Sequence, residues 1–477
     1  MKKIATLAAA LLAGVCALAQ TTGGISAAEL SEIQKGYEGT AADKAIRNAL
    51  NTTPMATLAT NSEKQAMIDT HFSDIVKTKG ITNQKSSGRC WLFTGLNVLR
   101  SRAIARYDLG EFQFSQSYEF FYDQLEKSNL FLQAIIDTRA SADDDRTVDW
   151  LFAHPIGDGG TFTGVADLVS KYGVVPAEVF PESYCAENTS AMSTQLKTKL
   201  REDGLRLRQM YAAQNISSLK GKKAEAAEAA VLAKMQSAKV EMLKDVYHVL
   251  ALCLGVPPTE FEWSMYNSKG ELVSTEKYTP KSFCEKMVDY NLEDGYVMLM
   301  NDPLREYYKV YRIEYDRHVY DGHDWVYVNL PLDEIKQMAI ASIKDQKAMY
   351  FSCDVGKCLD RQRGIADTEN FDYESLLGIT FGMDKKERVQ THASGSSHAM
   401  TLIAVDIKDG KTEKWMVENS WGNTGYKGNL IMTDKWFDNY MFRLVVEKKY
   451  VPESVMKLLD QEPVMLPAWD PMFLSEE

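Results

Sequence analysis

The sequence has 477 residues, of which 45% are hydrophobic and 25% are charged, an ordinary balance for a globular protein. This length suits one elaborated domain or two to three smaller ones. The formal net charge of −12 predicts an acidic surface, which argues against nonspecific nucleic-acid binding, so we expect no nucleic-acid partner.

The first 19 residues have the pattern of a targeting segment. Two lysines precede an apolar, alanine-rich stretch, and Ala17-Leu18-Ala19 fits a small-residue cleavage site. The stretch is short for a membrane-spanning helix. Cys16 raises the alternative of a lipoprotein, which Val15 before it disfavours. We therefore predict a signal peptide at 1–19, export to a periplasm or out of the cell, and no membrane association after cleavage.

The rest of the chain divides by pattern into five predicted segments. An N-terminal arm opens with a capping box at Ser26 and Glu29, and a later charged helical stretch ends before Gly255. Strand patterns dominate from about 290 onward, at 348–353, 401–407, 415–418, 430–432 and 442–446. The predicted segments are an arm at 20–75, a helical lobe at 76–185, a helical insertion at 186–289, a β-rich lobe at 290–465 and a C-terminal arm at 466–477.

The stretch from Gln84 to Cys90 predicts a nucleophile. The small pair Ser87-Gly88 allows a tight turn, and a helical pattern begins at Cys90. A cysteine at a helix N-terminus is favoured as thiolate by the macrodipole. The Cys90 backbone N–H and the side-chain amide of Gln84 could form an oxyanion hole. The alternative is a buried structural cysteine.

A histidine and an asparagine near the C-terminus supply the partners that such a thiol needs. His398 heads an apolar strand and can act as general base and then general acid. Asn419 ends the next strand and can orient the imidazole, with Trp421 shielding the bond. Two alternatives stay open: His392 as the base, and Asn419 as a turn residue.

Six cysteines remain beyond the leader, and five of them are left if Cys90 stays a thiolate. An odd number cannot all pair, so we predict a disulfide-poor protein. Cys353 and Cys358 lack a second ligand pair and make a poor zinc site. We expect no metal and no cofactor.

The chain resembles the papain-like cysteine peptidases, and within them the bleomycin hydrolase (aminopeptidase C) branch. The resemblance covers nearly the whole chain after the leader. Its motifs are Lys44-Ala-Ile-Arg-Asn-Ala-Leu50, Ser87-Gly-Arg-Cys-Trp-Leu-Phe93, Lys171-Tyr-Gly-Val-Val-Pro176, Cys353-Asp-Val-Gly-Lys357, His398-Ala-Met400 and Pro467-Ala-Trp-Asp-Pro-Met472. The long separation of Cys90 and His398 in the sequence is similar to that of this branch.

The resemblance implies an α+β, papain-like fold of two lobes, one helical and one β-barrel-like. It adds a large helical insertion and a C-terminal arm lying in the cleft. It also implies a homohexamer, peptide substrates, and a cleft lined by Gly159 and Gly160, for which a plain turn is the alternative. The branch usually follows these glycines with Gln-Trp, whereas Thr161-Phe162 stand here. Most relatives are cytosolic, so the leader is a departure.

The C-terminal arm of this branch meets the free α-amino group of the substrate with its terminal carboxylate. Here the resemblance ends at Met472, and the last residues carry Glu476 and Glu477, of which Glu477 is the predicted substrate ligand. A solvated end is the alternative. The leading hypothesis is an exported cysteine aminopeptidase acting on peptide N-termini. The alternatives are an endopeptidase of the same fold and a noncatalytic ring-forming assembly protein.

Overall fold

The structure, a computed structural model, describes residues 23–64 and 68–474, so the predicted signal peptide and Glu477 lie outside the described residues. The helices are α1 (Ala27–Lys35), α2 (Ala41–Leu50), α3 (Met55–Leu58), α4 (Cys90–Tyr107), α5 (Gln116–Asp137), α6 (Arg146–Ala153), α7 (Phe162–Tyr172), α8 (Tyr184–Glu187), α9 (Ser190–Ala212), α10 (Lys222–Leu254), α11 (Pro280–Met287), α12 (Leu332–Lys344), α13 (Tyr373–Leu377), α14 (Lys385–Gln390), α15 (Asp434–Tyr440), α16 (Glu453–Met456) and α17 (Pro471–Leu474). The strands are β1 (Asp74–Ile75), β2 (Phe261–Tyr266), β3 (Leu272–Tyr278), β4 (Tyr296–Met300), β5 (Lys309–Ile313), β6 (Val326–Asn329), β7 (Met349–Cys353), β8 (Leu359–Asp360), β9 (Ile365–Ala366), β10 (His398–Lys408), β11 (Lys411–Glu418), β12 (Asn429–Thr433), β13 (Met441–Glu447) and β14 (Val464–Leu466).

One mixed sheet holds most of these strands. Its order is β14–β5–β6–β4–β13–β7–β10–β11–β12–β9–β8, with β1 beside β10. The pairs β14–β5, β4–β6 and β12–β9 are parallel, and the other neighbours are antiparallel. All five predicted strands are confirmed, each within a residue or a few of its expected bounds. The first residue of β10 is His398, which lies opposite Cys353 of β7.

Helix α4 begins at Cys90, as predicted, and runs through the interior. Every residue from Trp91 to Ile104 is buried, because α4 packs on β10 and β7 of the sheet and on α5 and α7. A helix with apolar residues on all faces is typical of such a core position. Arg100, the more deeply buried of its two buried arginines, pairs with Glu418 at the end of β11. Burial raises the pKa of Glu418, and Arg100 opposes that rise.

The helices α9 and α10 pack against each other and against α5. Helix α10 stops at Leu254, and Gly255 follows at a φ of 98°, which confirms the predicted end. The hairpin of β2 and β3 was not predicted. Its pattern is visible in retrospect, since Trp263 and Met265 are buried and alternate with more exposed residues.

The chain divides into two compact units. Among the described residues, the smaller one comprises 23–60 and 371–380, and Thr60 pairs with Phe371 within it. Its first helix opens with the predicted capping box of Ser26 and Glu29. The larger unit contains the mixed sheet, α4 and the remaining helices. The predicted α+β class is confirmed, and the segment boundaries predicted from sequence stay predictions. Within the described ranges, no helix combines the length and apolarity needed to cross a membrane.

Candidate active site

The turn before Cys90 is held by buried polar contacts. Arg89 is fully buried, donates to Glu182 at 3.1 and 2.7 Å, and donates from Nε to Ser87 Oγ at 3.0 Å. The guanidinium also lies over the ring of Phe93, 5.2 Å from its centroid. A buried cation with this many partners fixes the turn, so the Cys90 backbone leaves it in a defined direction.

His398 is bonded to Asn419, as the sequence predicted. Its Nε2 lies 2.8 Å from Asn419 Oδ1, and the Ser420 backbone N–H donates to the same oxygen at 2.8 Å. Because that oxygen accepts the backbone N–H, the side-chain atom facing the ring is an acceptor, and Nε2 carries the imidazole proton. Nδ1 then keeps its lone pair and is the basic nitrogen of the ring. His398 is 5% exposed and Asn419 is 1% exposed, so the bond is shielded from water.

The Trp421 ring stacks on the imidazole, with centroids 4.8 Å apart and planes 29° apart. Burial lowers the pKa of His398 from 6.5 to about 4; the Asn419 bond opposes this and the positive charge of Arg361 adds to it. The Arg361 guanidinium lies over the Trp421 ring, 4.9 Å from its centroid. At neutral pH the isolated imidazole is therefore a neutral base.

Gln84 is hydrogen-bonded to Ser420, the residue that follows Asn419. Its backbone N–H donates to Ser420 O at 2.8 Å, and its Oε1 accepts from Ser420 Oγ at 2.6 Å. Its Nε2 donates to Ser87 O at 2.7 Å, which uses one of two amide hydrogens and leaves the second for a ligand. Ser420 thus joins the predicted oxyanion donor to the residue that orients the base. Sequence reasoning missed Ser420, although its place directly after Asn419 was a usable signal.

The alternative base, His392, is not brought to Asn419. It follows α14 in an exposed position with a φ of 58°, outside any strand. The imidazole that bonds Asn419 is that of His398.

The glycine segment, residues 157–160, lies against the turn before Cys90. The Gly88 backbone N–H donates to Asp158 Oδ2 at 3.3 Å, and a Cβ on Gly88 would come within 2.8 Å of Asp158 Cβ. The indole N–H of Trp91 donates to Asp158 O at 2.7 Å. The structure therefore places Gly159 and Gly160 beside the segment that carries Cys90, and α7 starts directly after them, at Phe162.

The C-terminal arm is anchored as far as Met472. Strand β14 pairs with β5, and Asp470 forms an ion pair with Arg305. Met472 is fully buried, donates its N–H to Asp470 Oδ1 at 3.0 Å, and accepts a bond from Arg443 at its carbonyl. A solvated end does not describe 466–472. Glu477, the predicted ligand of the substrate amine, lies outside the described residues.

None of the six cysteines in the described part of the chain forms a disulfide. A search of the same residues for three or more His, Cys, Asp or Glu side chains able to hold a metal ion finds none.

Comparison with known proteins gives concordant matches. Residues 24–473 match the Peptidase C1-like family. Bleomycin hydrolase of Homo sapiens is 40% identical over 405 residues, which span 83% of this chain and 86% of the relative. Aminopeptidase C of Lactobacillus delbrueckii subsp. lactis is 36% identical over 89% of this chain and 92% of its own. The crystal structure of PepW from Lactobacillus rhamnosis is similar with a TM-score of 0.87 at 34% identity, covering 95% of this chain and 99% of that one.

Proposed function

The chain belongs to the Peptidase C1-like family and is a cysteine-type peptidase of papain-like fold, and from this premise we propose that it is an aminopeptidase. It hydrolyses the peptide bond after a free N-terminal residue, with Cys90 as nucleophile. The motif resemblance to the bleomycin hydrolase branch is confirmed by the relatives.

One observation carries the mechanism: the hydrogen-bonded series of Gln84, Ser420, Asn419 and His398. In it, Asn419 leaves Nδ1 of the imidazole unprotonated. We propose that Nδ1 takes the proton of Cys90 Sγ, and that the thiolate attacks the carbonyl carbon of the substrate.

The tetrahedral oxyanion is then stabilised by the Cys90 backbone N–H and the second amide hydrogen of Gln84. His398 returns its proton to the leaving amine, which departs and leaves a thioester on Cys90. A water molecule, deprotonated by His398, hydrolyses this acyl-enzyme and restores the thiol.

The preference for a free N-terminus is assigned to the end of the chain. One named relative is an aminopeptidase, and the arm here is held in place up to Met472 by Arg443 and Asp470. An anchor at Met472 limits the reach of 473–477, which carry the carboxylates of Glu476 and Glu477. We propose that one of them, Glu477 first, pairs with the α-amino group of the substrate.

Deleting 473–477 tests this assignment while keeping the buried Met472. A charge-assisted hydrogen bond in a partly desolvated site contributes about 1.5–3 kcal/mol, so cleavage of free-amine substrates should fall about ten- to a hundred-fold. Cleavage of matched N-acetylated fluorogenic peptides should rise at the same time. The full chain and its Cys90→Ala variant set the active and inactive limits.

If the truncated enzyme keeps its preference for free amines, selectivity does not come from the arm. If the full chain cleaves acetylated and free peptides equally, it is an endopeptidase and the proposed function is wrong. Loss of all cleavage by Cys90→Ala is required in either case, since no other residue replaces the thiolate.

Export and assembly complete the proposal. We propose that residues 1–19 direct export to a periplasm or the extracellular space and that the enzyme forms a homohexamer. The smaller unit supports assembly, because Ile25, Ile33 and Tyr37 are 72%, 61% and 60% exposed. The mass of the exported chain would reveal cleavage after residue 19, and analytical ultracentrifugation would distinguish a monomer from a hexamer.

A further inference from the structure

The backbone of the glycine segment is asymmetric in its hydrogen bonding. The carbonyls of Gly157, Asp158 and Gly159 all accept from side chains: Gln124 and Lys127 donate to Gly157 O at 3.0 and 3.1 Å, Trp91 donates to Asp158 O at 2.7 Å, and Lys127 donates to Gly159 O at 2.5 Å. Within the described residues, neither the N–H nor the C=O of Gly160 forms a hydrogen bond. The carbonyls of 157–159 are thus held by side chains, whereas the backbone N–H and C=O of Gly160 form an open edge that a ligand can bond.

Three ionisable side chains support this arrangement, and they come from two distant parts of the sequence. Lys127 Nζ lies 3.1 Å from Asp123 Oδ2, one turn earlier on α5. His318 Nδ1 lies 2.5 Å from Asp123 Oδ1, and its Nε2 accepts the Thr161 N–H at 3.4 Å. The side chains of Asp123, His318 and Lys127 are 0%, 3% and 12% exposed. We call Asp123, Lys127 and His318 the buried triad.

The charges of the buried triad follow from its geometry. Burial works to raise the pKa of Asp123, but Lys127 and His318 together hold it below its ordinary value. Burial and the charge of Lys127 lower the pKa of His318. The triad is therefore an ion pair plus a neutral imidazole, which donates from Nδ1 to the carboxylate and accepts at Nε2. Each polar atom facing the glycine segment has a fixed donor or acceptor role.

The triad also contacts the residue after the nucleophile. The His318 and Trp91 rings lie with centroids 4.5 Å apart, and Lys127 Nζ is 5.3 Å from the Trp91 centroid. A Cβ on Gly160 would collide with the His318 imidazole and come within 2.9 Å of Trp91. The absence of a side chain at Gly160 is what allows the backbone to approach the triad this closely.

We propose that Asp123, Lys127 and His318 are positioning residues, which hold the 157–160 backbone so that the open edge of Gly160 meets the first residues of the bound peptide beside Cys90. The inference rests on the proposed peptidase function and adds three residues that act through the 157–160 backbone. Lys127 donates to the carbonyls of Gly157 and Gly159 and so fixes their direction, and His318 fixes the Thr161 end of the segment. Reactions that depend on such positioning lose rate steeply when it is relaxed.

The test is Lys127→Met, with Lys199→Met as the matched control. Lys199 forms a comparable pair with the fully buried Asp203 on α9, at 2.9 Å and also one turn apart, and its other ion pair is with Asp245 rather than with the glycine segment. We expect Lys127→Met to lower kcat/KM on a free-amine peptide coumarin about 10- to 100-fold. We expect Lys199→Met to keep it within a factor of about two, because the ion pairs of Lys199 are with Asp203 and Asp245 and involve no residue of the proposed site.

Alkylation of Cys90 by iodoacetamide separates positioning from general damage. This small reagent needs the thiolate and His398 but no backbone recognition, so its rate in Lys127→Met should match that of the wild type. A parallel fall in alkylation and peptide cleavage would assign Lys127 to stability alone and overturn the proposal. So would a kcat/KM equal to that of Lys199→Met.

Asp123→Asn provides a second route if Lys127→Met does not fold. It keeps an acceptor for His318 and removes the ion pair, and it should show the same split between cleavage and alkylation. Failure of both variants to fold while Lys199→Met folds would also overturn the proposal. An inactive wild type would instead refute the proposed function, and the inference with it.

Discussion

Replacing Cys90 by alanine isolates the titration of His398, because it removes the thiol that we propose exchanges a proton with the imidazole. The ring keeps its Asn419 bond and its burial, so its pKa should stay at about 4 rather than 6.5. A difference of this size corresponds to roughly 3.4 kcal/mol between the two protonation states. The unfolded chain binds the proton more tightly, so stability is lost as the pH falls from about 6.5 to about 4.

Two measurements check this. Histidine Cε1–H resonances of Cys90→Ala, assigned by comparison with Cys90→Ala/His398→Gln, give the pKa directly. Urea unfolding of the same two proteins at pH 7 and pH 4 measures how the free energy of unfolding depends on protonation of His398. Between these pH values, Cys90→Ala should lose up to about 3.4 kcal/mol more of this free energy than the double variant. Adding Arg361→Gln should raise the pKa, since Arg361 contributes to lowering it.

A His398 that titrates at 6 or above in Cys90→Ala would refute the reasoning, because burial would then not control the ring. The predicted value has a consequence for catalysis. An imidazole with so low a pKa holds a proton at neutral pH only when the thiolate charge stands beside it. In the proposed mechanism, proton transfer from Cys90 is therefore coupled to formation of the thiolate–imidazolium ion pair and does not precede it.

Two further predictions concern the partners of the site. Gln84→Ala should lower kcat about a hundred- to a thousand-fold with little change in KM. Asn419→Ala should lower kcat less, because the base that it orients remains. Steady-state kinetics checks both, and negligible effects of both substitutions would show that the two residues were misassigned. Arg100→Met should lower the free energy of unfolding in urea by about 3–5 kcal/mol, because Glu418 is left as an unpaired buried charge. Adding Glu418→Gln should recover most of this loss. Absence of recovery would mean that the broken ion pair is not the cause.

The local features of this chain could be predicted from the sequence. Cys90 at a helix start, His398 at a strand start and Asn419 at a strand end all follow from short patterns, and the structure places them so. The capping box at Ser26 and the end of α10 before Gly255 are also local. In each case the determining contacts lie within a few residues along the chain, where periodicity and capping act.

The features that sequence reasoning missed depend on distant contacts. Asp123 and His318 are 195 residues apart, and nothing in either neighbourhood marks them as partners.

The β2–β3 hairpin was missed for a different reason. Its short alternating pattern follows a long helix, and only the burial of Trp263 and Met265 against the helical core makes it a strand pair.

Ion pairs of a buried arginine adjoin two residues of the proposed site, Cys90 and Asn419. Arg89 pairs with Glu182 directly before Cys90, and Arg100 pairs with Glu418 directly before Asn419. Desolvation offsets most of the attraction in such pairs, so their net contribution to stability is small compared with an apolar replacement of both partners. What they provide is direction, because a bidentate or charge-assisted bond fixes an orientation that apolar packing leaves adjustable. The proposed mechanism needs the thiol and the asparagine that bonds the imidazole held in fixed directions, and these two residues lie at the start of α4 and after the end of β11, where the pairs are.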